Sequence, residues 1–210
     1  KLKFVVQAVA AFIVAFSPFN FIQIFAWTLP PLLGKIITFF WILGLVNAYN
    51  LIDGMDWICS GLSFLTILTI SLILRFEGVN YYIIGFILCG SILGFMFWNK
   101  PPAKIFLGDG GSQTLGYAIA VLPLISNNNP NINFGKVIAV ILLTSIPTTD
   151  VIAAIWRRIR DHRKIFSADR AHIHHKLLNV GFSQNVAVFF ILLLQGFEFI
   201  CIARSHTINS

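Results

Sequence analysis

The chain has 210 residues, of which 57% are hydrophobic and only 11% charged, with a formal net charge of +7. A soluble domain carries about 25% charged residues, so this composition excludes an ordinary water-soluble fold and points to the lipid bilayer as solvent. The basic excess alone fits nucleic acid, anionic lipid or membrane topology, and its placement decides for topology and against a nucleic-acid partner. Cys59, Cys89 and Cys201 lie in or beside apolar runs, without the close pairing of a zinc motif or disulfide framework, and read as packing residues.

A membrane helix needs about 20 predominantly apolar residues. Such runs recur at roughly 4–17, 31–47, 58–75, 81–97, 113–126, 135–156 and 185–203. They predict an all-α fold, a polytopic transmembrane helical bundle of about seven spans forming one domain over residues 1–210. No charged segment followed by a small-residue cleavage site opens the chain, so no removable signal peptide is expected. The break at Ser17-Pro18-Phe19-Asn20 reads as a span end or a kink, since membrane helices tolerate proline.

At the end of the second run stands Asn47-Ala48-Tyr49-Asn50-Leu51-Ile52-Asp53-Gly54-Met55-Asp56. Its polar residues recur every three positions, which on a helix places Asn47, Asn50 and Asp53 on one face, with Asp56 a further turn on if the helix continues past Gly54. Carboxylates and amides converging there can hold a divalent cation, or a phosphate through one. A lone Asx residue at a helix end is ordinarily a cap, but four at regular spacing favour chemistry.

After the fourth run comes Lys104-Ile105-Phe106-Leu107-Gly108-Asp109-Gly110-Gly111-Ser112. Glycines around one aspartate let backbone amides approach an anion while the carboxylate holds a hard cation; a plain turn between helices is the alternative. Lys104 fits a phosphate contact or a topology marker equally well. Asp150, late in the sixth run, is costly within an apolar span and reads as functional or as the partner of an arginine such as Arg157.

The third motif is Ala168-Asp169-Arg170-Ala171-His172-Ile173-His174-His175-Lys176, preceded by Arg157, Arg158 and Arg160. No cysteine accompanies the histidines, and the nearby carboxylates suit magnesium or manganese better than zinc. Arg170, His172, His174 and His175 are therefore expected to recognise phosphate or sugar, while topology accounts for most of the other arginines.

If the runs alternate sides, all three motifs share a face with Lys1, Lys3, Lys100 and the basic stretch 157–176, cytoplasmic by the positive-inside rule. The opposite loops include the uncharged Ser126-Asn127-Asn128-Asn129-Pro130-Asn131. Asp53, Asp56, Asp109, Asp161 and Asp169 fall on the basic face, and acids contribute little to topology, so their clustering suggests chemistry.

Taken in order, NAYNLIDGMD, KIFLGDGGS and SADRAHIHH resemble the polyprenyl-phosphate N-acetylhexosamine-1-phosphate transferases. The HIHH form looks like the enzymes that initiate lipid-linked surface polysaccharides, the undecaprenyl-phosphate GlcNAc-1-phosphate branch, more than the phospho-MurNAc-pentapeptide transferase. The resemblance implies transfer of a sugar 1-phosphate, GlcNAc-1-phosphate on this match, from a UDP-N-acetylhexosamine to a polyprenyl phosphate, with release of UMP and a need for Mg2+ or Mn2+. It implies catalytic roles for Asp53, Asp56 and Asp109, with Asp109 and Asp53 as metal ligands. Asn47, Asn50, Lys104, Arg170, His172, His174 and His175 would then bind substrate. It further implies a bacterial inner-membrane protein with its site facing the cytoplasm, and admits a homodimer.

The family's earlier aspartate-pair loop has no counterpart here, so the chain reads as a carboxy-terminal portion lacking upstream spans. Trp57 stands where the family often has glycine, and Gly111 stands where one small residue varies. Two other readings are an inactive remnant and a divalent-cation transporter, the latter suggested by Asp150 and the loop carboxylates and histidines.

Overall fold

The computed structural model describes residues 2–24, 27–126, 140–162 and 177–208. The described elements are α1 (Leu2–Ala15), α2 (Pro31–Ile52), α3 (Ile58–Phe76), α4 (Tyr82–Asn99), α5 (Gly108–Val121) with a 3-10 extension Leu122–Ser126, α6 (Ser145–Arg160) and α7 (Gln184–Ile208). A short antiparallel pairing of β1 (Gln23–Ile24) with β2 (Trp27–Thr28) lies between α1 and α2. The all-α expectation holds apart from this pairing.

Pro31 opens α2, a position where its missing N–H costs nothing and its fixed φ suits the helix. Thr38 Oγ1 then accepts the N–H of Phe21 at 2.9 Å and donates to Gly34 O at 2.8 Å, tying the segment before α2 to its first turns. Only glycine fits at 34, because a Cβ there would lie 2.0 Å from Phe21 O. At the other end α2 stops at Ile52, with Asp53 at ψ 54° and Gly54 next.

Helices α2, α3 and α5 form the centre. Ile42, Leu45, Tyr49, Ile58, Leu62 and Ile119 are buried there. Phe12 and Ile13 of α1, Ile83 and Ile87 of α4, and Leu193 and Phe197 of α7 instead expose large apolar side chains outward. That distribution suits hydrocarbon, where each helix satisfies its own backbone and polar side chains must find partners within the protein. Tyr49 Oη accordingly meets Thr66 Oγ1 at 3.2 Å, while Gln195 Nε2 donates to Leu143 O at 2.6 Å.

Four described helices are long and apolar enough to cross a membrane, Pro31–Ile52, Ile58–Phe76, Tyr82–Asn99 and Gln184–Ile202, and they coincide with the runs expected near 31, 58, 81 and 185. The run at 4–17 forms the shorter apolar helix Leu2–Ala15. The fifth run is displaced, since its helix begins at Gly108 instead of near 113. With its 3-10 turn it extends about 31 Å, comparable to the hydrocarbon thickness.

Candidate functional site

The site is built where the end of α2 meets the start of α5. Gly116 allows the contact, because a Cβ there would approach Leu45 O and Val46 Cα to 2.9 Å each. Nearer the helix ends, Asn50 Nδ2 donates to Asp109 Oδ1 at 3.0 Å and to Ser112 Oγ at 2.9 Å. Two motifs 59 residues apart thus share one hydrogen-bonded cluster.

Lys3 of α1 closes the cluster, its Nζ 2.7 Å from Asn50 Oδ1 and 3.1 Å from Asp109 Oδ2. A turn deeper, Asn47 Nδ2 donates to Gln7 Oε1 at 3.3 Å, and Gln7 Nε2 donates to Gln113 Oε1 at 2.9 Å. Asn47 and Asn50 therefore share the face that their spacing predicts.

The glycine-rich run is the first turn of α5 and not a free loop. Gly108, at φ +65°, supplies the left-handed residue, and Asp109 falls at the helix N-terminus, where the dipole favours a carboxylate. The Asn50 hydrogen bond, then Lys3, hold the Asp109 carboxyl below its usual range.

Asp53 is in the opposite condition. It is half-buried, makes no hydrogen bond among the described residues, and is pushed up to about 6 by burial and then by the charge of Asp109. Two hard carboxylates that repel each other, with an amide oxygen beside them, are a donor set that fits Mg2+ or Mn2+. Among the described residues no three His, Cys, Asp or Glu side chains come together. Magnesium does not require that, because it keeps several waters and is commonly held by one or two carboxylates plus substrate phosphates.

Because α2 ends at Ile52, Asp56 is not on its face, and its Oδ2 accepts the N–H of Ala103 at 3.0 Å, bracing the loop before α5. Lys104 lies with Nζ 5.3 Å from the centre of the Trp98 ring. Asp150 is buried within α6. Arg170, His172, His174 and His175 lie outside the described residues.

Lys3, Gln7 and Gln113 join the cluster although the sequence motifs do not include them, and Asn99 braces the neighbouring connections. A lysine at a membrane boundary reads as topology, whereas glutamines in apolar helices are costly enough to be a usable signal. Asn99, 5% exposed, accepts the Trp57 N–H at 3.0 Å and donates to Ile105 O at 2.9 Å, joining the α2–α3 and α4–α5 connections. Arg158, which the sequence assigns to topology, is buried, and its Nε has no partner among the described residues.

The sequence pattern of glycosyl transferase family 4 matches residues 1–127, which include every member of the Lys3–Asn50–Asp109 cluster. The chain belongs to glycosyl transferase family 4. It is 41% identical over 164 residues to the probable undecaprenyl-phosphate N-acetylglucosaminyl 1-phosphate transferase of Bacillus subtilis, covering 78% of this chain and 45% of that protein. It is 36% identical over 171 residues to the decaprenyl-phosphate N-acetylglucosaminephosphotransferase of Mycobacterium tuberculosis, covering 72% and 42%. With the undecaprenyl-phosphate alpha-N-acetylglucosaminyl 1-phosphate transferase of Escherichia coli the identity is 32% over 165 residues, covering 76% and 45%. The chain thus spans less than half the length of these family 4 relatives.

Proposed function

We propose that this protein takes part in transfer of GlcNAc-1-phosphate from UDP-GlcNAc to undecaprenyl phosphate, the step that initiates a lipid-linked cell-envelope polysaccharide. The observation that carries the reading is the Lys3–Asn50–Asp109 cluster with Asp53 beside it, inside the segment that matches the family. The names of the relatives supply the sugar phosphate and the lipid.

In the net reaction an oxygen of the lipid phosphate bonds to the β-phosphorus of the UDP-sugar, the bond from that phosphorus to the bridging oxygen breaks, and UMP leaves. Both substrates are anionic, so cations must offset their repulsion. Asp53 and Asp109 would hold Mg2+ or Mn2+, which when bound supplies that offset. Asn50 and Lys3 keep the Asp109 carboxylate ionised and oriented. On the resemblance of the SADRAHIHH motif, Arg170, His172, His174 and His175 would contact the sugar diphosphate. Asp56 braces the loop before α5 and, on the resemblance, would also help to organise the nucleotide or metal.

The proposed topology has seven crossings of the bacterial inner membrane with the cluster facing the cytoplasm, as the positive-inside rule requires of Lys3, Lys100 and Arg157. The transporter reading is disfavoured, because Asp53 and Asp109 sit at helix ends and not at mid-depth.

Membranes containing the protein, given labelled UDP-GlcNAc, undecaprenyl phosphate and magnesium, are expected to yield a labelled lipid and UMP in equal amounts. Absence of both with every UDP-N-acetylhexosamine would refute the assignment.

A further inference from the structure

Trp57 sits at φ 69°, a left-handed conformation in which a bulky residue is an outlier that persists only where its surroundings impose it. Two hydrogen bonds impose it here: the backbone N–H on Asn99 Oδ1 at 3.0 Å, and the indole Nε1–H on Met96 O at 2.7 Å. They lay the indole along a cleft of about 520 Å3 between the start of α3, the end of α4 and the first turns of α7.

The cleft is apolar below and basic at its rim. Trp57, Phe189, Leu192 and Leu193 form its walls, while Asn185 and Lys100 stand at the helix ends. Leu192 also packs on Gly61, where a Cβ would approach its Cδ2 to 2.7 Å, so the floor depends on close approach of α3 and α7. None of the described lining residues is acidic. Beside the rim, Lys100 and Lys104 lie over the rings of Phe97 and Trp98, both largely exposed. Aromatic rings with lysines at the end of a spanning helix mark the depth of lipid headgroups.

A cation above an apolar slot at headgroup depth complements one class of molecule, an amphiphile with a phosphate head and a hydrocarbon chain. We propose that the cleft seats one anionic phospholipid of the surrounding leaflet, its phosphate on Lys100 and an acyl chain along Trp57, Phe189 and Leu193. The start of α7 at Gln184 adds the positive end of a helix dipole to the same rim. The proposal rests on the membrane reading and is independent of the transferase assignment.

The test uses the protein in nanodiscs containing brominated phosphatidylglycerol or brominated phosphatidylcholine, reading the tryptophan quenching that disappears in Trp57→Phe. The expected result is about a fivefold preference for phosphatidylglycerol, the size conferred by one cation near a membrane surface, and its loss in Lys100→Gln. Equal quenching by the two lipids, or an unchanged preference in Lys100→Gln, overturns the proposal. Undecaprenyl phosphate that removes the phosphatidylglycerol signal also overturns it, by assigning the cleft to the acceptor lipid. Should Trp57→Phe fail to fold, lipid co-purified with the wild type and with Lys100→Gln decides between the same outcomes: one phosphatidylglycerol retained only by the wild type supports the seat, and equal retention refutes it.

Discussion

Asn50 Nδ2 stands 3.0 Å from Asp109 Oδ1, and this bond joins the last turn of α2 to the first turn of α5. Neither residue would stand out alone; a helix-end amide and a helix-start carboxylate are common caps. Their significance lies in the pairing, with Lys3 on both and Asp53 electrostatically coupled to Asp109.

The pairing depends on backbone approach at Gly116. Gly116→Val should force α2 from α5, destabilising the protein by about 1–3 kcal/mol, the usual result of overpacking. Transfer activity should fall more than thermal stability explains, because Asn50 and Asp109 separate. Gly90→Ala provides the control, since a Cβ at Gly90 meets nothing within 4 Å. Melting curves and initial rates of the two variants, measured side by side, check the expectation.

Stability of the metal-free protein should respond to Asp53. Its carboxyl is raised from 3.8 to about 6 in the fold, so the folded state binds this proton more tightly than the unfolded state does. The contribution is fully present below pH of about 4 and is lost as pH rises through about 6. Asp109, shifted the other way, contributes above its ordinary value and loses that contribution only at lower pH, outside this window. Thermal midpoints in detergent with chelator should fall between about pH 4 and pH 6, by the order of a few degrees, and level off above that interval. Asp53→Asn should flatten that interval; an unchanged slope would count against the assignment.

Asn99 is expected to matter structurally. Truncation in Asn99→Ala removes the partner of the half-buried Trp57 N–H and of the Ile105 O, which water can reach, so the cost is about 1 kcal/mol, the net worth of an ordinary hydrogen bond. Limited proteolysis should then cut the 100–107 connection faster than in the wild type, with α2 and α5 protected as before.

Much of this arrangement is legible in the chain. The apolar runs near 31, 58, 81 and 185 become helices because length and hydropathy alone decide a membrane span. The three-residue spacing of Asn47 and Asn50 gives a common face, since helix geometry admits nothing else. Asp56 falls elsewhere because the helix ends at Ile52, and an ending of this kind depends on local ψ and not on composition. Gly108-Asp109-Gly110-Gly111 resembles a turn by composition, yet packing at Gly116 draws it into α5, where tertiary contact outweighs the low helix propensity of glycine. Lys3 is hidden in the sequence because positive-inside topology already accounts for it. Only proximity to Asn50 and Asp109 distinguishes it from a boundary lysine.

The most direct test is a double-mutant cycle on transfer, comparing kcat/KM for the wild type, Asn50→Ala, Asp109→Asn and the double variant with UDP-GlcNAc and undecaprenyl phosphate. Each single change should lower the rate by about 10²-fold or more, and the double should fall little further, because groups acting as a unit are strongly non-additive. Losses that simply multiply, or single variants that keep the wild-type rate, would contradict the claim that the two motifs make one site.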